Sequence, residues 1–452
     1  MKHVHFIAIG GTGMSSLAQI MIAKGYQVSG SDVNASTWTE RLENLGATVY
    51  LGHSAAHVNG ADMVVVSSAI GPDNEELVHS KSLGIPVLHR GDMLSLLMRE
   101  KRGIAVAGAH GKTTTASMVA TILALTGCDP TVVIGGEITG MGTNARLGDG
   151  PYLVAEADES DRSFLKLAPH IAVVTNIDDD HLENYGSMEA LEAAFSQFVS
   201  DVPWGGLQVL CGDDERLRRL FEGKAKAPRW YGFSEHNEWQ ARDLEKKEWG
   251  LRFGVYRGGS YLGKVELQVV GGHNALNALA SLVVADGIGI SFDEATVALA
   301  QFKGVGRRLQ LMGEKAGVRV MDDYCHHPTE IRATLDTLAQ HVPGKIICVF
   351  QPHRYARTRR LYREFGRVFA PAGQVLLMDI YPGPGELPEP DIDAGLIAGS
   401  LKENGKKVIW LRDRQIVIEE AVQLAEPGDV ILTMGCGDVW KLCSGMVTRL
   451  GE

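Results

Sequence analysis

Residues 104–115 read Ile104-Ala-Val-Ala-Gly-Ala-His-Gly-Lys-Thr-Thr-Thr115, and this stretch decides the fold around it. Its apolar start is typical of a buried parallel strand, its glycines predict a turn, and the residues from Ala116 to Leu125 favour a helix. Such a turn directs backbone N–H groups and the positive end of the helix dipole at one point, which favours a polyphosphate. The sequence therefore predicts a phosphate-binding loop, and an incidental turn before a helix is the alternative.

The spacing of this loop is shorter than the common G-x-x-x-x-G-K-[ST] pattern. Val106 stands where the first glycine is expected, so the chain carries a G-x-x-G-K-T-T form. In such loops the lysine reaches the outer phosphates and the hydroxyl after it binds magnesium. We therefore expect Lys112 to contact phosphate and Thr113 to contact the metal.

The bulk composition is that of an ordinary globular protein, with 45% hydrophobic and 22% charged residues. A length of 452 residues allows two to four domains. The formal net charge of −11 argues against a nucleic-acid partner, which usually selects a basic face. We expect a cytoplasmic location without a membrane partner. The cysteines are scattered, the start of the chain lacks a signal-peptide pattern, and no apolar run reaches the ~20 residues that a membrane span needs.

A second glycine turn lies near the start of the chain. A predicted strand over residues 4–9 leads into Gly10-Gly-Thr-Gly13-Met-Ser-Ser16, and a later strand ends in Asp32. This is the outline of a dinucleotide fold, except that Ser16 replaces the third glycine of the fingerprint. NAD, another nucleotide diphosphate and a purely structural turn all remain open as interpretations.

Acidic residues follow two predicted strands beyond the phosphate loop. Glu156-Ala-Asp-Glu159 ends one strand, and Asp180-His181 follows the other. Parallel strands of one sheet bring their carboxyl ends to the same edge, so Glu156 and Asp180-His181 are expected beside Lys112. Carboxylates suit magnesium, whereas a histidine ligand is less usual. Solvated acidic turns are the alternative.

Paired polar residues occur in two later helices. Asn274 and Asn277 are three residues apart and share a helix face, so their amides could read a purine edge, or Asn274 could cap the helix. Arg354 and Arg357 have the same spacing and would clamp a carboxylate, unless they form a solvated basic face.

A predicted hinge separates these two helices. Glycines bracket residues 304–308, and a new alternating pattern begins soon afterwards. The adjacent His326 and His327 point in different directions, so a pocket role for one of them is favoured over joint metal binding.

Taken in order, the motifs of this chain resemble those of the Mur ligase family. They are Gly108-Ala-His-Gly-Lys-Thr-Thr114, Glu156-Ala-Asp-Glu-Ser160, Thr175-Asn176 with Asp180-His181, His273-Asn274 with Asn277, Gly306-Arg-Arg308, Asp322-Asp-Tyr-Cys-His-His-Pro328 and Gln351-Pro-His-Arg354. The N-terminal motifs are most similar to those of the alanine-adding branch: Gly10-Gly-Thr-Gly-Met14, Ser31-Asp32 and Ser67-Ser-Ala-Ile70. The resemblance covers essentially the whole chain, and its specificity lies in the order of the motifs.

This resemblance implies an α/β protein of three domains. Residues 1–101 would form a Rossmann-like domain for a UDP-sugar, residues 102–309 a central P-loop ATPase-type domain with a mostly parallel sheet, and residues 310–452 a Rossmann-like domain for an amino acid. The implied reaction serves peptidoglycan synthesis. ATP phosphorylates the lactyl carboxylate of UDP-N-acetylmuramate, and the amine of L-alanine attacks the acyl phosphate, which leaves an amide, ADP and phosphate.

The resemblance also assigns residues to each ligand. The ATP set is Gly108, Ala109, His110, Gly111, Lys112, Thr113, Thr114, Asn274, Asn277, Arg308 and Asp323. The UDP-sugar set is Gly11, Thr12, Gly13, Met14, Ser15, Asp32, Ser67, Ser68, His89 and Arg90. The L-alanine set is His327, His353, Arg354 and Arg357. The magnesium set is Thr113, Glu156 and His181, and the catalytic set is Lys112, Glu156, His181 and Arg308.

One departure distinguishes this chain from several ligases of the family. Those ligases carry a carbamylated lysine after the Asp-His motif, but residues 181–202 contain no lysine, as in the alanine-adding branch.

Other functions remain as alternatives. The nearest alternative is the recycling ligase that adds a ready-made tripeptide, because its loop shares the histidine at His110. An NAD-dependent oxidoreductase and a non-catalytic regulator are further alternatives. We expect a monomer or a homodimer.

Overall fold

The computed structural model describes residues 2–180, 182–224, 226, 228–383 and 386–452. The chain forms two compact units, Met1–Lys303 and Gly304–Glu452. The division between them falls at the start of the glycine-bracketed segment in which the sequence predicts a hinge. The α/β class with mostly parallel sheets is confirmed.

The first sheet of the N-terminal unit has the strand order β3-β2-β1-β4-β5, and every pair of neighbours is parallel. This is the order of a doubly wound dinucleotide fold, in which ligands bind where the chain reverses direction between β1 and β4. Its strands are His3–Ile7 (β1), Gln27–Asp32 (β2), Thr48–Leu51 (β3), Met63–Val66 (β4) and Val87–His89 (β5). Its helices are Thr12–Ala23 (α1), Thr37–Asn44 (α2), Glu75–Ser82 (α3) and Arg90–Arg99 (α4).

The second sheet of this unit has ten strands in the order β15-β14-β13-β12-β11-β10-β6-β9-β7-β8. The strands are Arg102–Ala107 (β6), Thr131–Ile138 (β7), Thr143–Arg146 (β8), Tyr152–Glu156 (β9), Ile171–Val174 (β10), Leu207–Cys211 (β11), Arg229–Gly232 (β12), Trp239–Lys247 (β13), Gly250–Arg257 (β14) and Ser260–Leu267 (β15). The helices are Lys112–Leu125 (α5), Met188–Ser200 (α6), Glu215–Phe221 (α7), Gly272–Gly287 (α8) and Phe292–Leu299 (α9). In sheet order, the strands from β13 through β12, β11, β10, β6 and β9 to β7 pair in parallel. Strand β8 at one edge and strands β14 and β15 at the other pair antiparallel with their neighbours.

Strand β6 lies at the centre of the second sheet, between β9 and β10. Its residues Ile104, Ala105 and Val106 are fully buried, as the apolar run predicts for a central parallel strand. The three strands run in the same direction, so their carboxyl ends meet at one edge. This confirms, for the described residues, that Glu156 reaches the edge at which the phosphate loop begins.

The C-terminal unit holds a six-stranded sheet in the order β16-β17-β21-β18-β19-β20, parallel except for β16. Its strands are Gln310–Lys315 (β16), Val318–Asp323 (β17), Ile346–Phe350 (β18), Gln374–Leu377 (β19), Val408–Trp410 (β20) and Val430–Met434 (β21). Its helices are Pro328–His341 (α10), Tyr355–Val368 (α11), Gly395–Glu403 (α12), Arg414–Leu424 (α13) and Leu442–Arg449 (α14). The α/β organisation that the family resemblance implies for residues 310–452 is present.

Two local interpretations of the sequence are wrong. Helix α11 begins at Tyr355, and Arg354 precedes it with a positive φ of 67°, so Arg354 and Arg357 do not share a helix face. The capping position of α8 belongs to Gly271, whereas Asn274 lies inside the helix and donates its amide to the Val270 carbonyl.

Among the described residues, no helix has the length and apolar character needed to cross a membrane. The six cysteines are all free thiols, as their scattered positions in the sequence predicted.

Candidate functional site

The turn between β6 and α5 is shaped by two glycines with positive φ. Gly108 has a φ of 129°, and a Cβ added there would lie 2.1 Å from Thr175 Oγ1. Gly111 has a φ of 82° and precedes the first residue of α5, and a Cβ added there would lie 2.7 Å from Asn277 Oδ1. Both positions need glycine for backbone conformation and for close approach. The result is a tight loop that ends at a helix N-terminus, the arrangement that binds phosphate.

The Lys112 side chain lies inside this loop and contacts three oxygen atoms. Its Nζ donates to the Gly108 carbonyl at 2.6 Å, to the Ala109 carbonyl at 3.2 Å and to Glu159 Oε1 at 2.8 Å. Burial would lower the pKa of the ammonium, but the nearby carboxylates of Glu159, Glu156 and Asp158 raise it above its ordinary value. Lys112 therefore keeps its positive charge at the phosphate loop.

The hydroxyl of Thr113 and the carboxylate of Glu156 lie together at the start of α5. Thr113 Oγ1 is 3.1 Å from both carboxylate oxygens, and the backbone N–H of Gly135 donates to Glu156 Oε2 at 2.9 Å. These are hard oxygen ligands held in a fixed orientation, which suits magnesium. The structure brings together two of the three residues assigned to the metal, and the third, His181, lies outside the described residues.

Glu159 is a site residue that the sequence reasoning missed. Its side chain is almost fully buried against the Lys112 ammonium, and its backbone carbonyl accepts the Tyr185 hydroxyl at 2.6 Å. Burial raises the pKa of its carboxyl group to about 7, although Lys112 acts in the opposite direction. The available signal was a second acid three residues after Glu156, but sequence alone does not show that this acid is buried.

The loop backbone is fixed from the neighbouring strand β10. Asn176 Oδ1 accepts the His110 N–H at 2.9 Å, and the His110 carbonyl accepts from Thr175 Oγ1 at 2.6 Å and from Asn176 Nδ2 at 3.0 Å. His110 Nε2 lies 3.0 Å from a carboxylate oxygen of Asp178. These bonds explain why polar residues follow β10.

The two asparagines assigned to adenine lie in α8, which packs against α5. Asn277 Oδ1 accepts the Thr115 hydroxyl at 3.1 Å, and Asn277 Nδ2 donates to Asn274 Oδ1 at 3.0 Å. Both side chains are buried. In this structure they brace the phosphate loop from behind, and their contact with adenine stays a prediction.

The N-terminal glycine turn leads directly into α1. Asp32 Oδ2 accepts the Gly10 N–H at 2.9 Å, so this acid fixes the turn. Met14 and Ser15 are buried in the helix, and the Ser15 hydroxyl donates to the Thr12 carbonyl at 3.0 Å. The Gly11 N–H donates to the Ala8 carbonyl at 3.3 Å, so the N–H groups of Thr12 and Gly13 at the start of α1 are the ones that suit a phosphate. The contacts of Met14 and Ser15 with the sugar nucleotide stay a prediction.

The remaining sugar-site candidates contact the acidic segment that follows β9. Arg90 Nη2 lies 2.7 Å from both Asp158 Oδ2 and Asp161 Oδ2. The Ser68 hydroxyl bonds to Asp161 and lies 3.0 Å from His89 Nε2. Burial would raise the pKa of Asp158, but Arg90 holds it well below its ordinary value.

Ser67 lies beside these residues, and its hydroxyl accepts the N–H of Ala69 at 3.3 Å. The ion pairs of Arg90 with Asp158 and Asp161 thus join the start of α4 to the segment that follows β9.

In the C-terminal unit, Asp323 anchors the segment that opens it. Its carboxylate accepts N–H groups from Leu309 at 2.9 Å and from Cys325 at 2.8 Å, and burial raises its pKa. Arg308 Nη1 lies 3.4 Å from Glu330 Oε1, and its guanidinium lies 5.3 Å from the centre of the Tyr324 ring. Arg308 and Asp323 thus belong to one local cluster, and their assignment to ATP stays a prediction.

The residues assigned to L-alanine are in the same unit. Arg357 is buried in α11, with its Nη1 at 3.2 Å from His353 Nδ1. His327 is the buried N-cap of α10, where its Nδ1 accepts the Thr329 N–H at 3.4 Å. Arg354 donates its backbone N–H to the Tyr381 carbonyl at 2.9 Å. The structure brings His353 next to Arg357.

Three family descriptions match the chain in succession. They are "Mur ligase family, catalytic domain" over residues 3–102, "Mur ligase middle domain" over residues 106–285, and "Mur ligase, glutamate ligase domain" over residues 307–437.

Full-length relatives agree with these matches. The chain is 49% identical to a UDP-N-acetylmuramate--L-alanine ligase of Pelotomaculum thermopropionicum, over 100% of this chain and 98% of the relative. It superposes on the crystal structure of a UDP-N-acetylmuramate-alanine ligase from Thermotoga maritima with a TM-score of 0.85 at 30% identity, covering 99% of each chain. A murein peptide ligase from Psychrobacter arcticus gives a TM-score of 0.76 at 26% identity, covering 100% of this chain and 99% of the other. With its motifs in order, its sheets arranged as above and three family matches along its length, the chain belongs to the Mur ligase family.

Proposed function

We propose that this protein joins L-alanine to the lactyl carboxylate of UDP-N-acetylmuramate, with conversion of ATP to ADP and phosphate, as a step in the synthesis of peptidoglycan precursors. The observation that carries the proposal is the phosphate loop of residues 108–114, where the Lys112 ammonium and the Thr113–Glu156 oxygens lie at one helix N-terminus. The names of full-length relatives at 44–49% identity agree with this activity.

The chemistry follows from the charge of the acceptor. A carboxylate at neutral pH repels nucleophiles, so it must first gain a good leaving group. Transfer of a phosphoryl group to the lactyl carboxylate makes an acyl phosphate, and the alanine amine then displaces phosphate to form the amide. The first step brings anionic oxygens together, so catalysis depends mainly on positioning and on neutralising charge. Lys112 supplies a fixed positive charge for this purpose.

Magnesium fits the oxygen ligands that this chain presents. Thr113 and Glu156 would hold it, with His181 as a further ligand on the family pattern. Bound magnesium neutralises charge on phosphate oxygens. The Gly135 N–H fixes one Glu156 oxygen and leaves the carboxylate directed at the Thr113 hydroxyl.

We assign the substrates to three domains with bounds at 1–101, 102–309 and 310–452. The sugar nucleotide is placed at the turn of residues 11–13 with Ser67, Ser68, His89 and Arg90, ATP at the phosphate loop, and L-alanine near His353 and Arg357. A monomer or homodimer in the cytoplasm is the accompanying proposal.

The decisive experiment is ADP release measured with each substrate omitted in turn. We expect release that depends on both UDP-N-acetylmuramate and L-alanine, with the amide product detected by mass spectrometry. Release with a murein tripeptide in place of L-alanine would identify the recycling reaction instead. Absence of ADP under every condition would refute the ligase proposal, and binding of NAD at residues 11–13 would favour an oxidoreductase.

A further inference from the structure

A buried hydrogen-bond network joins helix α1 to the hairpin of β7 and β8. Asn144 in β8 is fully buried, and its Nδ2 donates to Ser16 Oγ at 2.7 Å and to the Thr12 carbonyl at 3.2 Å. Its Oδ1 accepts from Gln19 Nε2 at 2.9 Å. All three bonds reach α1, so this single amide fixes the first turns of the helix against the hairpin.

Ser16 extends the network to strand β7. Its hydroxyl is buried, accepts from Asn144, and has its own proton within reach of the Thr12 carbonyl at 2.8 Å and the Ile134 carbonyl at 3.2 Å. Ser16 also stands where a dinucleotide fingerprint has its third glycine. A glycine at that position would lack the hydroxyl, so the departure from the fingerprint has a structural use.

The next residue of β7 contacts the proposed metal ligand. The Gly135 N–H donates to Glu156 Oε2 at 2.9 Å, and a Cβ added at Gly135 would lie 2.6 Å from the same oxygen. Glu156 in turn accepts the Thr113 hydroxyl. Successive residues of one strand therefore contact α1 on one side and the Glu156 carboxylate on the other.

We propose that Asn144 is a positioning residue of the ligation reaction. It holds the start of α1, where the diphosphate of the sugar nucleotide would bind, against the strand that orients Glu156. Binding of the sugar nucleotide and binding of the metal then draw on the same set of hydrogen bonds. This inference rests on the proposed function, because it takes the two ligands from there.

A purely structural role is separated from this one by a matched variant. Asn237 is also buried and makes comparable bonds, to Asp213, Ser234 and Arg218, none of which belongs to the proposed site. Removing either amide leaves buried polar partners unsatisfied, so Asn144→Ala and Asn237→Ala should both lower the melting temperature.

Two binding measurements then test the proposal without turnover. One is the affinity for Mn²⁺ with a non-hydrolysable ATP analogue, followed by electron paramagnetic resonance, and the other is the affinity for UDP-N-acetylmuramate, followed by calorimetric titration. We expect Asn144→Ala to weaken both by roughly tenfold, the usual effect of losing a group that orients a metal ligand. Asn237→Ala should leave both affinities at the wild-type values.

Lowered melting temperature with both affinities unchanged in Asn144→Ala would overturn the proposal. If Asn144→Ala does not fold, Ser16→Ala can be tested in its place, because it removes only one hydroxyl of the network. Unchanged Mn²⁺ affinity in Ser16→Ala would also overturn the proposal. The wild-type ADP assay judges the proposed function separately. A protein that binds Mn²⁺ and nucleotide normally but releases no ADP would refute the ligase while leaving the Asn144 comparison intact.

Discussion

The Lys112 ammonium is surrounded by two backbone carbonyls and the Glu159 carboxylate. Its charge is fixed where the phosphates of ATP would lie, and its amine is not free to move into solvent. Lys112 thus places a positive charge within the loop itself, whereas Arg90 of α4 is paired with Asp158 and Asp161 of the segment that follows β9.

Lys112→Ala should therefore abolish ADP formation while leaving the binding of UDP-N-acetylmuramate intact, because the sugar nucleotide is assigned to the first sheet. ADP release and calorimetric titration measure the two effects. Lys402→Ala changes an exposed lysine of α12 and serves as the control. If Lys112→Ala also lost sugar binding, both ligands would share one pocket and the domain assignment would fail.

A buried acid in helix α3 connects single residues to the stability of the fold. Glu76 is fully buried and accepts from His57 Nδ1 at 2.7 Å and from the Ser31 hydroxyl at 2.5 Å, and His5 Nε2 lies 3.7 Å away. Burial would raise the pKa of Glu76, but these partners lower it to about 2 from an ordinary 4.5.

Because the folded protein binds this proton more weakly than the unfolded chain does, the Glu76 carboxylate stabilises the fold fully above about pH 4.5. The contribution is lost as the pH falls toward 2. Glu76→Gln should lower the free energy of unfolding at pH 7 by about 3 kcal/mol at most, and it should flatten the acid limb of the stability curve. Urea unfolding from about pH 2 to about pH 7 measures this, with the exposed neighbour Glu75→Gln as control. If the free energy of unfolding fell equally at acid pH in the wild type and in Glu76→Gln, the assignment of this pH dependence to Glu76 would be contradicted.

At the scale of elements, the phosphate loop depends on helix α8 as well as on its own strand and helix. Gly111 lies against Asn277 Oδ1 of α8, while Thr115 donates to the same oxygen. Two helices far apart in sequence therefore define the loop conformation, and α8 acts as a brace behind it.

Gly111→Ala should disturb this arrangement in two ways. The positive φ costs an alanine about 1–2 kcal/mol, and the new Cβ would collide with Asn277. Gly127→Ala is the matched control, since Gly127 has a φ of 79° and a Cβ added there would have no heavy atom within 4 Å. We expect similar losses of stability from φ in both, but a roughly tenfold or larger loss of affinity for an ATP analogue only in Gly111→Ala. Equal affinities in the two variants would show that the contact with Asn277 is unimportant.

Strands with simple apolar runs were predictable, and contacts between distant residues were not. The runs before Gly108, Glu156 and Asn176 identify parallel strands, and their acidic or glycine ends place them at one edge. The contact of Asn144 with α1 could not be predicted, because it depends on how the hairpin of β7 and β8 packs against a helix of the first sheet. The contact of Gly135 with Glu156 could not be predicted either, because it depends on the pairing of β7 with β9. The same holds for the burial of Glu159.

At the scale of the whole molecule, the chain is divided into Met1–Lys303 and Gly304–Glu452. Each unit has its own sheets and its own buried core. The predicted hinge lies at this division. The family resemblance implies domain bounds at 101 and 309, and the first of them falls within the larger unit.

This division predicts two transitions in calorimetric unfolding. The larger unit should give the larger enthalpy, because enthalpy scales with residue number. UDP-N-acetylmuramate at roughly 100 times its dissociation constant should stabilise that unit by about 2.7 kcal/mol. A ligand-induced shift of the smaller transition alone would place the sugar nucleotide in residues 304–452 and contradict the assignment.

The position of β6 between β9 and β10, with α8 behind the loop, also bears on biosynthesis. A ribosome delivers β6 first, yet both of its flanking strands and the brace at Gly272–Gly287 are translated later. A nascent chain that stops short of α8 lacks the Asn277 support beneath Gly111. The loop therefore gains its support from α8 only when nearly the whole larger unit has been made.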